Sequence, residues 1–152
     1  MDKIQLDAFY VIGIGVRTTN ENGQAKEDIG MLWQQFMSEQ IIEKIPNVLD
    51  ETIYALYTDY ESDHTKPYTT ILGYKVASLE EIPEGMMGKK IEKTSYHKFI
   101  AKGDLTNNAV IDQWMKIWNT DLDRSYTTDF EVYGEKAADP KNGEADIYIA
   151  VK

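Results

Sequence analysis

Two kinds of hydrophobic spacing alternate along the chain and predict its strands and helices. Residues 9–18, FYVIGIGVRT, are rich in β-branched and aromatic side chains and run into the polar stretch TNENGQ, so they predict a strand followed by a turn. The spacing then changes to three and four residues, which predicts an amphipathic helix near residues 25–45. Its apolar stripe consists of Ile29, Leu32, Trp33, Phe36 and Met37. Strand-like runs follow at residues 52–60 and 68–77, so the first half predicts a β-α-β-β unit.

The second half of the chain repeats this order of elements. A strand-like run at residues 91–103 precedes a predicted helix near residues 107–122, and strands are expected at residues 128–136 and 145–152. The apolar stripe of the second helix consists of Val110, Ile111, Trp114, Ile117 and Trp118. The segment between the last two strands contains PKNG, which is typical of a turn.

The repeated order predicts how the two halves are organised. Each unit has only about 75 residues, too few to bury a sheet face alone, so the halves are expected to share one structure. The sequence therefore predicts an α+β fold, a tandem β-α-β-β repeat in one domain that spans residues 1–152. The units cover about residues 1–77 and 90–152, and residues 78–89 form the linker between them.

The two halves match in pattern, and the match pairs a carboxylate with a small residue. Aligning YALYTDY of the first half with FEVYGEK of the second makes Tyr57 and Tyr133 equivalent. Ala55 then corresponds to Glu131 under the expected pseudo-twofold symmetry. The carboxylate therefore has no acidic counterpart in the first half.

Strand alternation places Glu131 on the same face as Tyr133 and on the opposite face from Phe130. If Phe130 faces the core, Glu131 is an ordinary solvent-facing residue of a half-buried strand. If Glu131 instead lies in an aromatic cavity, burial disfavours its charge until a cation or a hydrogen-bond donor arrives. The residues alone leave both interpretations open.

The aromatic side chains are numerous enough to wall such a cavity, and aromatic faces attract cations. Ten tyrosines against four phenylalanines also supply many hydroxyl groups that need partners, which favours a polar-tipped pocket. The candidates on helices and strands are Trp33, Phe36, Trp114, Trp118, Tyr57, Tyr68, Tyr96, Tyr133 and Tyr148. The alternative is that the tryptophans only fill the core.

Charge and composition narrow the function classes. The net charge of −10 and the pI near 4.6 disfavour binding to nucleic acid or to an anionic membrane. The absence of cysteine excludes disulfides and thiolate metal sites and suits a reducing compartment. With neither a signal peptide nor a membrane-spanning run, we expect a cytoplasmic protein.

No motif points to a cofactor, a metal or a catalytic residue. Gly13 and Gly15 follow strand-like residues, but Thr18 stands where a dinucleotide-binding motif needs glycine. His64 and His97 lie far apart, without the acidic residues at the spacing of a metal site. We therefore expect no cofactor and no metal.

Three separated segments resemble the gyrase-inhibitor-like family, also described as the effector-binding domain of AraC-type and multidrug-responsive bacterial transcription regulators. They are YALYTDYESDHTKPYTTILGYKVASLEEIPEG, SYHKFIAKGD and RSYTTDFEVYGEK…ADIYIAVK. The resemblance extends from about Phe9 to Lys152, with the segments in the family's order and spacing. It implies a pseudo-twofold fold in which a curved antiparallel sheet and two helices enclose a cleft for hydrophobic, often cationic, small molecules.

The resemblance also implies which residues bind the ligand. The family's acidic pocket residue lies in an Asp-Phe-Glu-x-Tyr strand, which assigns that role to Glu131 in Asp129-Phe130-Glu131-Val132-Tyr133. The implied aromatic partners are Tyr133 and Tyr148 by strand position, and Trp118, Tyr57, Trp33 and Tyr68 by geometry.

The chain departs from the family's promoter-binding members because it shows no helix-turn-helix module. We therefore expect a stand-alone effector-binding protein that does not bind duplex DNA and that serves a separate regulator or gyrase. Two alternatives stay open. One is a hydrolase of reactive small molecules that uses Glu131 and a tyrosine, and the other is a gyrase-inhibitor type of protein-interaction modulator.

Overall fold

In the computed structural model, which describes residues 3–106 and 108–152, eight strands form one antiparallel sheet with two helices. The strands are β1 (Ile4–Leu6), β2 (Phe9–Thr18), β3 (Val48–Thr58), β4 (Tyr68–Val76), β5 (Met87–Ile91), β6 (Thr94–Gly103), β7 (Thr128–Tyr133) and β8 (Gly143–Val151). The helices are α1 (Gln24–Ser38) and α2 (Ala109–Trp118). The strand order is β1-β6-β8-β7-β3-β4-β2-β5, and the sheet curves into a half-barrel, which confirms the predicted α+β fold.

The sheet has an approximate twofold axis between its two central strands, β3 and β7. Strands β4 and β2 lie beyond β3 in the same order as β8 and β6 lie beyond β7. The register pairs Ala55 directly with Glu131, while Tyr57 pairs with Asp129 and Ile53 pairs with Tyr133. A twofold axis through the Ala55–Glu131 pair therefore relates Tyr57 to Tyr133, as the sequence alignment predicted.

The two faces of the sheet are buried by different partners. One face packs against the helices: Leu32 of α1 packs with Leu72, and Trp114 of α2 packs with Ile147. The other face carries a second apolar cluster, centred on Phe130 and formed by strand residues, which the curvature of the sheet brings together. Because Glu131 alternates with Phe130, it lies on the face that the helices cover.

Both helices are shorter than predicted. Helix α1 ends at Ser38 because Gln40 adopts a left-handed conformation (φ 50°), and a separate 3₁₀ turn occupies Ile41–Lys44. Helix α2 ends at Trp118, where the side chains of Asn119 and Thr120 bond back to the last-turn carbonyls. Residue 107, at the start of the second predicted helix, lies outside the described residues.

The sequence also missed two strands, β1 and β5, which form the two edges of the sheet. Strand β5 pairs with β2 and begins at Met87, inside the predicted linker of residues 78–89. Strand β1 pairs with the start of β6. Among the described residues, no helix is long and apolar enough to cross a bilayer.

A glycine pair between β2 and β4 is a point where the fold tolerates no side chain. Gly13 pairs with Gly73, and a Cβ at Gly73 would overlap the carbonyl oxygen of Ile12. We expect Gly73→Ala to lower the free energy of unfolding by about 1–3 kcal/mol, because the backbones must separate. Gly30→Ala is the control, since Gly30 lies in α1 with open space around it. Urea denaturation measures both, and equal stability of the two variants would contradict the prediction.

Candidate ligand-binding site around Glu131

Glu131 is a buried carboxylate with three hydrogen-bond donors. It is 1% exposed, at the centre of β7. The Tyr133 hydroxyl donates to Oε1 at 2.5 Å, and the Trp114 indole and the Tyr57 hydroxyl donate to Oε2 at 2.6 Å and 2.8 Å. The donors come from three elements, β7, α2 and β3. The solvent-facing interpretation of Glu131 is therefore wrong for this structure.

The electrostatics of the carboxylate favour an additional positive partner. All three donors are uncharged, and no described Lys, Arg or His forms an ion pair with Glu131. Burial raises the pKa of Glu131 above its ordinary value of 4.5, although the bonds from Tyr133, Trp114 and Tyr57 oppose the shift. Because Oε1 accepts only one of these bonds, it keeps a free lone pair for a ligand.

The surrounding tyrosines are held as hydrogen-bond donors. Burial, followed by the charge of Glu131, raises the pKa values of Tyr57 and Tyr133 well above the ordinary value of 10.0. The same causes raise the pKa of Tyr68 to about 12. All three hydroxyls therefore stay protonated at neutral pH; those of Tyr57 and Tyr133 donate to the carboxylate, and that of Tyr68 donates to Asn20.

Aromatic rings flank Glu131 with the symmetry of the sheet. Trp33 of α1 meets Tyr133 edge to face, with ring centroids 5.2 Å apart and an interplanar angle of 82°. Trp114 of α2 meets Tyr57 in the same way, at 5.3 Å and 69°. Tyr68 lies next to Tyr57, with ring centroids 6.0 Å apart. The two halves of the chain thus contribute equivalent aromatic pairs to one site.

Trp118 lies one layer further out. The ring centroids of Trp118 and Trp114 are 6.3 Å apart. The His64 ring stacks on Trp118, with centroids 5.7 Å apart and an interplanar angle of 11°. His64 belongs to the polar loop between β3 and β4, and its carbonyl accepts a bond from Asn20. Burial and the charge of Arg124 lower the pKa of His64 below 6.5, so the ring is mostly neutral at neutral pH. This loop therefore covers the α2 side of the site.

Tyr148 does not lie in this site, which corrects the sequence prediction. The β7–β8 register pairs Tyr148 with Phe130, and their rings stack at 4.9 Å. Directly paired residues point to the same face, so Tyr148 lies across the sheet from Glu131. Tyr96 packs edge to face against Phe130 on that face as well. Strand position within the sequence could not reveal this because it depends on the register between β7 and β8.

Trp114, which the sequence named as a possible cavity wall but which was not among the ligand-binding residues that the resemblance implied, contacts Glu131 directly. Its signal was the equivalence of the two helical stripes, since Trp33 occupies the corresponding place in α1. A second set of residues was missed entirely. Asp129, which is fully buried, accepts bonds from Arg124, the Tyr60 hydroxyl and the Ala150 amide at 2.7, 2.6 and 2.8 Å.

The described residues contain no group of three or more His, Asp or Glu side chains placed to hold a metal ion. The chemistry of the site is that of one carboxylate, three neutral donors and several aromatic faces. Glu131 is 1% exposed, so this centre is closed in the structure.

Comparison with known proteins gives the chain a family. The family model of Cass2, the integron-associated effector-binding proteins, matches residues 4–151. The crystal structure of the integron cassette protein VCH_CASS2, from the mobile metagenome of Vibrio cholerae, has 32% identity and a TM-score of 0.74. That match covers 99% of this chain and 95% of the cassette protein.

Two further proteins match this chain over most of their length, one in sequence and one in fold. YobU of Bacillus subtilis (strain 168), named provisionally as a transcriptional regulator, is 28% identical over 151 residues, which cover 97% of this chain and 94% of YobU. The structure of SAV2435 bound to tetraphenylphosphonium has 20% identity and a TM-score of 0.78, covering 99% of this chain and 93% of that one. The chain therefore belongs to the family of integron-associated effector-binding proteins.

Proposed function

We propose that this protein binds hydrophobic small cations between its two helices, with Glu131 as the counter-charge. The observation that carries the proposal is the buried carboxylate, which has three neutral donors and no ion-pair partner among the described residues. A ligand cation would compensate the charge that burial disfavours. The free lone pair of Oε1 is the point at which a donor or a cation would meet the carboxylate.

The aromatic rings would supply most of the remaining affinity. Tyr57, Tyr133 and Trp33 are half-buried, so they can turn ring faces toward a ligand once it enters. A cation over an aromatic face gains roughly 0.5–2 kcal/mol, with the larger values in desolvated sites. The pocket is therefore suited to ligands that combine a delocalised positive charge with several aromatic rings.

The relatives support this class of ligand. The family is described as effector-binding, and SAV2435 was solved with tetraphenylphosphonium, a cation surrounded by four phenyl rings. The site draws Tyr57 from the first half and Glu131 and Trp114 from the second, so we propose that the chain acts as one effector-binding domain. Its net charge of −10 argues for a role through a separate regulator and against direct contact with DNA.

The pH dependence of binding tests the role of the carboxylate. We expect affinity for methyltriphenylphosphonium to fall as the pH drops from about 8 to about 5, because protonation removes the counter-charge. Burial raises the pKa of Glu131 above 4.5, so the loss begins at a higher pH than for an ordinary glutamate. Below that pKa, the affinity falls up to about tenfold per pH unit. Trp114, which contacts Glu131, makes tryptophan fluorescence a suitable measurement.

Neutral triphenylphosphine oxide is the control ligand. It has three phenyl rings and no charge, so protonation of Glu131 removes no ion pair with it. Its affinity is expected to stay constant over the same pH range. A cation affinity independent of pH, or a parallel loss for both ligands, would remove the support for Glu131 as the counter-charge.

A further inference from the structure

A second groove lies across the sheet from Glu131 and has a different chemical character. It has a volume of about 580 Å³ and is formed by the end of β3, the β5–β6 connection and the segment that leads into β7. Thr58 and Thr128, which pair with each other in the β3–β7 register, line its inner wall. They lie on the same face as Phe130, so the groove and the Glu131 site are on opposite faces of the sheet.

The groove gathers three lysines and their carboxylate partners. Lys89, Lys90 and Lys93 line it, together with the two carboxylates of Asp59 and Glu92. Because Asp7 pairs with Lys93, three lysines face three carboxylates here, and the groove is locally neutral in a chain that carries −10. An anion would bind here by replacing carboxylates that these lysines now hold.

Two of the three ammonium groups are available to a ligand. Lys90 lies 3.6 Å from Glu92, and Lys93 lies 4.0 Å from Asp7, and these two carboxylates are 75% and 93% exposed. Exposed ion pairs of this kind are worth little, so a ligand anion can replace them at small cost. Lys89 is different, because its ammonium holds Asp59 at 2.6 Å.

Tyrosine rings form the apolar part of the groove. Tyr96, 1% exposed, lies at its floor, and Tyr60 and Tyr126 meet edge to face at 5.6 Å on its wall. Tyr126 is held in a left-handed conformation (φ 53°), and the guanidinium of Arg124 lies 4.4 Å from its ring centroid. A bulky residue in that conformation costs free energy, and such residues cluster at functional sites.

We propose that this groove is a second ligand site, which binds an aromatic monocarboxylate. The ammonium groups of Lys90 and Lys93, whose exposed carboxylate partners a ligand can replace, match a monoanion, while the three tyrosines offer ring contacts to a planar group. The volume lies within the range of small-molecule pockets. The lysines at the rim bind the carboxylate, and the ring packs between Tyr126 and the floor.

The test uses 2-naphthoate as the probe and the full chain as the protein. Calorimetry measures its affinity, and amide chemical shifts in NMR spectra locate it. We expect shifts in residues 89–94 and 126–128, and no weakening by Glu131→Gln. Unchanged affinity in Glu131→Gln would show that 2-naphthoate binds at a different place from the site of the proposed function.

The Lys90→Gln/Lys93→Gln double variant is expected to weaken 2-naphthoate binding about tenfold, since charged hydrogen bonds are lost. Lys26→Gln/Lys141→Gln removes two exposed lysines elsewhere and is expected to leave the affinity unchanged. Neutral 2-naphthamide is expected to bind about tenfold more weakly than the carboxylate.

Four results would overturn the proposal. They are the absence of saturable binding, an affinity for 2-naphthamide equal to that for 2-naphthoate, chemical-shift changes centred on Tyr57 and Tyr133, and tighter binding of inorganic phosphate than of 2-naphthoate, seen as displacement of the probe. The last would make the groove a phosphate site. Since both substituted lysines are about half exposed, the variants are expected to fold, and wild-type amide spectra outside the groove verify this.

Discussion

Glu131→Gln is expected to weaken binding of methyltriphenylphosphonium about tenfold to a hundredfold at neutral pH. The substitution keeps the shape of the side chain and removes the counter-charge that faces the ligand. Loss of a hydrogen bond to a charged group costs roughly 1.5–3 kcal/mol, which corresponds to this range of affinity. Neutral triphenylphosphine oxide is expected to bind the variant about as well as the wild type, because ring burial drives its binding. Tryptophan fluorescence titrations measure both ligands.

Glu80→Gln is the matched control, since Glu80 is an exposed carboxylate in the segment between β4 and β5 and does not belong to the Glu131 site. It removes the same charge from the chain without changing the site, so it separates local from long-range electrostatics. Equal weakening of both ligands by Glu131→Gln would mean that Glu131 organises the pocket and does not act as a counter-charge. Equal weakening by the two variants would assign the effect to net charge.

Glu131→Gln is also expected to leave the free energy of unfolding unchanged or to raise it at neutral pH. Burial raises the pKa of Glu131 in the folded protein, so the ionised form is the disfavoured one there. The group therefore stabilises the fold below its unfolded pKa and loses that contribution as the pH rises through the folded pKa. Glutamine carries no charge to bury; its amide oxygen can accept the bonds from Trp114 and Tyr57, and its NH2 group can donate to the Tyr133 hydroxyl.

Asp129→Ala is expected to have the largest effect on stability, lowering the free energy of unfolding by about 3–5 kcal/mol. Asp129 and Arg124 form a buried ion pair at 2.7 Å, with side chains 0% and 6% exposed. Removing the carboxylate leaves the guanidinium buried without a countercharge and orphans the hydroxyl of Tyr60 and the amide of Ala150. Urea denaturation measures the loss.

Asp146→Ala is the comparison for this variant. Asp146 forms ion pairs with Lys98 and Lys136 at 3.6 Å and 3.4 Å, in a more open environment. Its loss is expected to cost about 1 kcal/mol or less. Similar values for the two variants would mean that the Asp129 pair does not organise the start of β7. A double variant that also replaces Arg124 with methionine is expected to recover part of the loss, because it removes the unpaired charge.

The elements with strong local signals were predictable from the sequence. Strand β2 has the predicted bounds, because an unbroken apolar run between polar turns determines it locally. The equivalence of Tyr57 and Tyr133 was also accessible, since both halves carry the same strand pattern. Edge strands β1 and β5 were missed because their residues are partly exposed and are strands only through their partners.

The site was predictable to the extent that it follows from alternation within one strand. Alternation placed Glu131 and Tyr133 on one face, and the structure joins them by a hydrogen bond. Tyr148 was misplaced because its face depends on the β7–β8 register. The contact of Trp114 with Glu131 depends on the rotation of α2 about its own axis. The hydrophobic stripe shows which broad face of the helix packs on the sheet, but not which side chain reaches Glu131.

The approximate twofold arrangement around Glu131 bears on the orientation of a ligand in electron density and on its binding free energy. The Trp33–Tyr133 and Trp114–Tyr57 pairs flank the carboxylate on its two sides with related edge-to-face geometry, although only Trp114 also donates to it. If the proposed site takes a flat cation, we expect two poses of similar energy, related by a half-turn. This degeneracy adds RT ln 2, about 0.4 kcal/mol, to the binding free energy. In a crystal structure of such a complex, the electron density would then show the ligand in two overlapping orientations of about half occupancy, related by the approximate twofold axis of the sheet.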